Sequence, residues 1–240
     1  MAMIPAIHPP RLAGVWQSIR GKSLPHQCPV CRLSLPADHT LCCDACWDKH
    51  HQAYGCQCCG LPVLTPQTHC GQCLSHPPAW HTLTAISAYL DPLPDLVHRF
   101  KYQGDFELAL PFATLLSEKI DTPAPVLLPV PLHWRRRIQR GFNQSAHLAW
   151  ALQQRLGSRV VTHYLRRTRH TSPQQGLDRS ARLKNLRGAF RLHGALPAEH
   201  VALVDDVVTT GETVSQLCRL LRRAGAKRVD IYCIARTKLP

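Results

Sequence analysis

The sequence predicts an α/β fold built on a parallel sheet, preceded by a small cysteine-rich module. Three observations predict it. Residues 201–204 (VALV) are an apolar run without polar alternation, as expected of a strand buried on both faces of a parallel sheet. After a Thr/Gly loop, Val214, Leu217, Leu220 and Leu221 recur at helical spacing up to Gly225, and 228–236 (RVDIYCIAR) reads as another strand, which completes a βαβ unit. Ten of the twelve cysteines lie between Cys28 and Cys73.

At 240 residues and 45% apolar content the chain has room for one domain of ordinary size plus a smaller module. No apolar stretch approaches the ~20 residues of a membrane span, and the N-terminal MAMIPAIHPPRLAGVWQSIR lacks the apolar segment of a secretory signal. A soluble, cytoplasmic protein without a membrane span is therefore expected. In a compartment that keeps thiols reduced, clustered cysteines mean metal before they mean disulfides.

The module is placed at 24–76 and the α/β domain at 77–240. In the module the pairs Cys28/Cys31, Cys43/Cys46, Cys56/Cys59 and Cys70/Cys73 are each Cys-x2-Cys, with eleven and ten residues between the pairs of the two units. A two-residue gap turns both thiolates toward one ion, and two such turns complete a tetrahedron. This predicts two zinc ribbons with four cysteines per metal and two structural Zn2+ ions. Gly60 supplies the positive φ of a turn wrapping over the metal, while Cys42 and Cys58 are surplus.

Further along, 98–105 (HRFKYQGD) reads as a helical turn whose Lys101 is a site candidate. VLLPVPL (126–132) is a strand opening into an arginine-rich loop, and Asn143 caps the helix SAHLAWALQQRL. Positions 135–191 hold 14 basic residues and a single acid, Asp178, within a chain of net charge +14. Charged faces usually mix signs, so this bias points to polyanions. Trp134, flanked by His133 and three arginines, is the favoured stacking platform. Cys218 and Cys233 read as small core residues.

The loop after Val201–Val204 narrows the chemistry. Thr209, Thr210, Gly211, Glu212 and Thr213 offer hydroxyl and N–H donors at a helix start, where the helix dipole favours an anion. No lysine follows the glycine as in a Walker loop, and the three-glycine dinucleotide fingerprint is absent. Asp205 and Asp206, just upstream, suit paired hydroxyls or a cation brought by the ligand. Together they imply a phosphate on a diol, a ribose 5-phosphate.

The segment VALVDDVVTTGETV resembles the phosphoribosyl pyrophosphate (PRPP) motif of class I phosphoribosyltransferases. With the cysteine pairs, HRFKYQGD, LLPVPLHWRRRIQRGFNQ and TSPQQGLDRSARLKNLRGAF, residues 24–236 resemble the ComF/GntX family. The resemblance implies a double zinc ribbon joined to a phosphoribosyltransferase-like domain. In it Asp205 and Asp206 hold the ribose hydroxyls at the catalytic centre, and Thr209, Thr210, Gly211, Glu212 and Thr213 cradle the 5-phosphate. Lys101, Arg135, Arg136, Arg137 and Arg140 face pyrophosphate, whose oxygens Mg2+ bridges. The family's association is with uptake and use of external DNA. Single-stranded DNA and DNA-uptake proteins are then the expected partners, with Trp134, Arg166, Arg167, Arg169, Arg179, Arg182, Lys184 and Arg187 as the nucleic-acid contacts. The alternative is a Mg2+-dependent phosphoribosyltransferase of nucleotide salvage, for which the sequence assigns neither acceptor nor general base. A zinc-dependent transcription factor ranks last, since the ribbons lack basic flanks and no helix-turn-helix is visible.

Overall fold

A computed structural model describes residues 26–28, 31–35, 41–50, 54–65, 67–132, 141–168 and 188–237. Trp134, Arg135, Arg136, Arg137, Arg140, Arg169, Arg179, Arg182, Lys184 and Arg187 lie outside the described residues.

The cysteine-rich part contains a short antiparallel pair, β1 (His26–Gln27) and β2 (Ser34–Leu35), and two short helices, α1 (Asp44–His50) and α2 (Gly71–Ser75). Cys46 rides on α1 and Cys73 on α2. The larger part is a parallel sheet of five strands, β3 (Leu83–Ala88), β4 (Val126–Pro129), β5 (Arg159–Val160), β8 (His200–Val208) and β9 (Arg228–Arg236), in the order β3-β9-β8-β4-β5. Two further strands, β6 (Leu165–Arg167) and β7 (Phe190–Leu192), pair antiparallel outside it.

Alternation along the central strands divides the core in two. Val201 and Leu203 of β8 join Val126 and Leu128 of β4 and Val229 and Ile231 of β9 under α6 (Glu212–Arg223), which buries Val214, Leu217, Cys218 and Leu221. Ala202 and Val204 point the other way, into the layer of α3 (Leu93–Tyr102), α4 (Ala109–Ser117) and α5 (Gln144–Leu156). Val201, Leu203 and Val204 are all fully buried, and each such side chain contributes about 1.5–3 kcal/mol. The strand that carries the aspartates is therefore firmly held at the centre of the sheet.

Local chemistry sets the helix ends that surround the site. Asn143 is extended and its side-chain oxygen accepts from Ser145 N at 3.1 Å, which caps α5. Gly211, at φ 77°, starts α6, and Gly225, at φ 103°, follows its last turn. Both glycines hold left-handed conformations that side-chain-bearing residues adopt at a cost. Among the described residues, no helix is long and apolar enough to cross a membrane.

Candidate functional site

Asp205 and Asp206 are neighbours near the carboxyl end of β8, so their side chains leave opposite faces of the sheet. Asp206 shares the direction of Ala202 and Val204 and meets the helices above them. Its Oδ1 lies 2.8 Å from Lys101 Nζ, near the end of α3, and accepts from Val207 N at 2.6 Å. Its Oδ2 accepts from Gln144 Nε2, the first residue of α5, at 2.6 Å. Asp206 is thus buried and enclosed by donors. Burial opposes the charge on Lys101, but the Asp206 carboxylate outweighs it and pushes the ammonium above its ordinary range.

Asp205 Oδ1 accepts from Ser145 Oγ at 3.2 Å and from Asp206 N at 2.9 Å, while Oδ2 stays outside these bonds. Burial and the adjacent Asp206 carboxylate push the Asp205 carboxyl up to about 7. Gln144 is buried, and its Oε1 has no hydrogen-bond partner among the described residues. The opposite amide orientation would turn that oxygen onto the Asp206 carboxylate, so the unpaired acceptor is set by electrostatics.

Beyond the aspartates, Asp205 and residues 207–214 line a cavity of about 70 Å3. It opens at the N-terminus of α6, where the first backbone N–H groups lack helical partners and the dipole favours negative charge. Glu212 receives a bond from Gln216 Nε2 at 3.2 Å, one turn on in the same helix. Trp80 backs the loop so closely that a Cβ on Gly211 would lie 2.9 Å from its ring.

The structure therefore brings Lys101, Asp205, Asp206 and the 209–213 loop to one end of the sheet. Lys101 arrives there as the ion-pair partner of Asp206. Arg166 and Arg167 lie elsewhere, on β6: Arg166 is exposed, and the Arg167 guanidinium sits 5.5 Å from the centre of the Phe190 ring. Gln144, Ser145, Trp80 and Arg236 were not among the sequence candidates. Gln144 and Ser145 follow a capping asparagine directly after a strand-and-loop segment, a position that faces the sheet's carboxyl end. Arg236 had its own signal, a charge closing the otherwise apolar run IYCIA.

The eight paired cysteines form two sets, Cys28, Cys31, Cys43, Cys46 and Cys56, Cys59, Cys70, Cys73, each with its Sγ atoms within 4.8 Å of one another. A tetrahedron with Zn–S bonds of ~2.3 Å has edges of about 3.8 Å. Cys31 and Cys43 stand 3.6 Å apart, Cys59 and Cys70 3.7 Å, and Cys56 and Cys73 4.0 Å. Both donor sets are therefore compatible with structural zinc, and Cys42 and Cys58 belong to neither. Burial pushes the Cys59 thiol up to about 12, and the hydrogen bond with Cys43 does the same for Cys46. Such thiols need a cation before they ionise together.

A family model described as the phosphoribosyl transferase domain matches residues 143–238, which contain β8, the loop and α6. The DNA utilization protein YhgH of Salmonella typhi is 38% identical over 224 residues, covering 90% of this chain and 99% of that protein. Competence protein F of Haemophilus influenzae is 32% identical over 222 residues, covering 88% and 96%. The chain belongs to the ComF/GntX family. A third ComF/GntX relative, competence protein ComFC of Streptococcus pneumoniae, is 32% identical over 153 residues, 63% of this chain and 67% of that protein. Among solved structures, glutamine PRPP amidotransferase from B. subtilis, complexed with ADP and GMP, aligns with a TM-score of 0.39 at 18% identity, covering 56% of this chain and 30% of the other.

Proposed function

We propose that this ComF/GntX chain binds PRPP, or another ribose 5-phosphate, at the end of β8, and that it serves the handling of single-stranded DNA taken from outside the cell. The cavity of about 70 Å3 enclosed by Asp205 and residues 207–214 is the observation that carries the reading. It combines the start of a helix, a left-handed glycine and Thr hydroxyls with a carboxylate, the combination a phosphorylated diol requires.

In this reading Thr209, Thr210, Gly211, Glu212 and Thr213 take the 5-phosphate. Asp205 takes a ribose hydroxyl through the oxygen its protein bonds leave over. Asp206 holds the site together through Lys101 and Gln144. Lys101, with Arg135, Arg136, Arg137 and Arg140, supplies positive potential for pyrophosphate. Mg2+ carried with PRPP would neutralise the pyrophosphate oxygens, and the Asp205 carboxylate would offer it a hard oxygen donor.

The DNA part is supported by the names of the relatives and by the net charge of +14. Trp134 and Arg166, Arg167, Arg169, Arg179, Arg182, Lys184 and Arg187 remain the contacts assigned to it, Arg167 from beside the Phe190 ring. A second reading is turnover: the Asp205 carboxyl, pushed up to about 7 by burial and by Asp206, would take and return a proton at neutral pH. Asp205 would then act in a phosphoribosyl transfer whose acceptor is unassigned.

Calorimetric titration of the zinc-loaded protein with PRPP and Mg2+, beside an Asp205→Asn, Asp206→Asn variant, tests the sugar-phosphate site. Saturable binding that the variant loses supports it, and equal binding by both rules it out. Fluorescence anisotropy with a single-stranded oligonucleotide tests the DNA part: affinity should fall steeply with salt, and no affinity at physiological salt would end that assignment.

A further inference from the structure

Three consecutive carbonyls of the second cysteine site are bonded to the α/β domain. Gln57 O accepts from Leu83 N, at the start of β3, at 2.9 Å. Cys58 O accepts from Trp80 Nε1 at 2.7 Å, and Cys59 O from Arg236 Nε at 3.0 Å. The turn itself closes through Gly60 N and Cys56 O at 2.7 Å. Gly60, at φ 69°, packs so tightly on Leu83 that a Cβ there would press on the Leu83 side chain and force it to move.

Two of these three donors continue to the phosphate loop. The Trp80 ring is the surface on which Gly211 rests. Arg236 is only 3% exposed, and its Nη1 donates to Val208 O at 3.0 Å, to Thr237 O at 3.1 Å and to Thr209 O. Among the described residues, every acceptor of Arg236 is a main-chain carbonyl. A guanidinium buried in this way keeps its place only while those carbonyls stay aligned, because a charge removed from water needs its hydrogen bonds. One of the carbonyls belongs to a Cys-x2-Cys turn, whose geometry a metal fixes and whose folding energy the metal supplies.

We propose that the second cysteine site is a control point for ligand affinity. Metal at Cys56, Cys59, Cys70 and Cys73 holds the 57–59 carbonyls in place. Trp80 and Arg236 pass that constraint to residues 208–211, which then present their donors to a 5-phosphate. Both are positioning residues, as neither needs to touch the ligand. Losing this metal lowers ligand affinity even though the ligand donors are intact. The inference rests on the reading of the 209–213 loop as an anion site, and its structural half can be measured without any ligand.

The test uses the full chain and the variants Arg236→Gln, Arg236→Lys and Trp80→Phe. Zinc per chain, hydrogen exchange of 208–213 and the Kd for PRPP with Mg2+ are measured on each. Arg236→Gln should keep both zinc ions yet exchange faster at 208–213, with 126–130 unchanged. Its affinity should fall about tenfold or more, the effect of one lost bond from a charged donor. Arg236→Lys should recover part of this, and Trp80→Phe, which removes one donor and keeps a ring, should lose less. Stepwise chelation of the wild type should open 208–213 together with release of the second-site zinc, which decides the matter even where a variant fails to fold. Unchanged exchange at 208–213 in a fully zinc-loaded Arg236→Gln, or after loss of that zinc, would overturn the proposal. Absence of PRPP binding by the wild type would instead overturn the ligand assignment, and the exchange data would still decide the linkage.

Discussion

Replacing Lys101 by Met tests whether the ion pair with Asp206 holds the carboxyl end of the sheet. The pair is short, 2.8 Å, with side-chain exposures of 20% for Lys101 and 8% for Asp206. Removing one partner of a fully buried pair costs about 3–5 kcal/mol, because the other charge stays desolvated. Here Lys101 is partly wet, and Gln144 Nε2 and Val207 N still donate to Asp206. The cost should therefore be about 2–3 kcal/mol, a fall in Tm of about 4–12 °C for a chain of this size. The Lys101 pKa is raised in the fold above its ordinary 10.5. A raised lysine contributes its full stabilisation below the unfolded value and loses it as pH climbs through the folded one. The gap between wild type and variant should widen as Asp205 ionises around pH 7, because Lys101 favours that charge, and narrow above 10.5. Urea denaturation of Lys101→Met, Asp206→Asn and the double variant closes a thermodynamic cycle, with an expected coupling of about 1–2 kcal/mol. A Lys101→Met chain within about 0.5 kcal/mol of wild type, or a coupling below that, would refute the reasoning.

Asp205 behaves in the opposite sense. Its folded pKa lies above the unfolded 3.8, so the native state holds more protons and stability falls as pH rises from about 4 to about 7. Asp205→Asn should raise stability by about 1–3 kcal/mol at pH 8, with the gain gone below pH 4, as thermal unfolding across pH would show. Gly211→Ala imposes a left-handed alanine and a Cβ 2.9 Å from Trp80; it should cost about 2 kcal/mol or more by denaturant titration. Elemental analysis should find two zinc ions per chain, and Cys70→Ser should reduce this to one.

The unit most legible in the sequence was β8, its loop, α6 and β9. An uninterrupted apolar run has one comfortable place, the middle of a parallel sheet, and Val201, Leu203 and Val204 occupy it fully buried. The cysteine sets were legible for a similar reason, since metal geometry leaves Cys-x2-Cys pairs few alternatives. Less legible was what surrounds the aspartates. Gln144 and Lys101 are 43 residues apart in the chain and meet at Asp206 only because α3 and α5 cover the same face of the sheet. That pairing depends on sheet order, which no local pattern encodes. Arg236 was read as the end of a strand, yet its side chain joins Val208 and Thr209, brought to it by the β8–β9 register, to Cys59, brought to it only by the docking of the second cysteine site. The β6–β7 pair was also missed: its strands are three residues long, and the basic residues between them obscure the alternation.

The central claim is that the 209–213 loop takes a 5-phosphate carried on ribose. Isothermal titration of the zinc-loaded chain with ribose 5-phosphate and, separately, with ribose tests it most directly. Saturable binding of ribose 5-phosphate, at least tenfold tighter than ribose and weakened by Thr210→Val with Thr213→Val, is the predicted result. Equal binding of the two sugars, or ribose 5-phosphate binding that survives loss of both hydroxyls together with Gly211→Ala, would contradict the account.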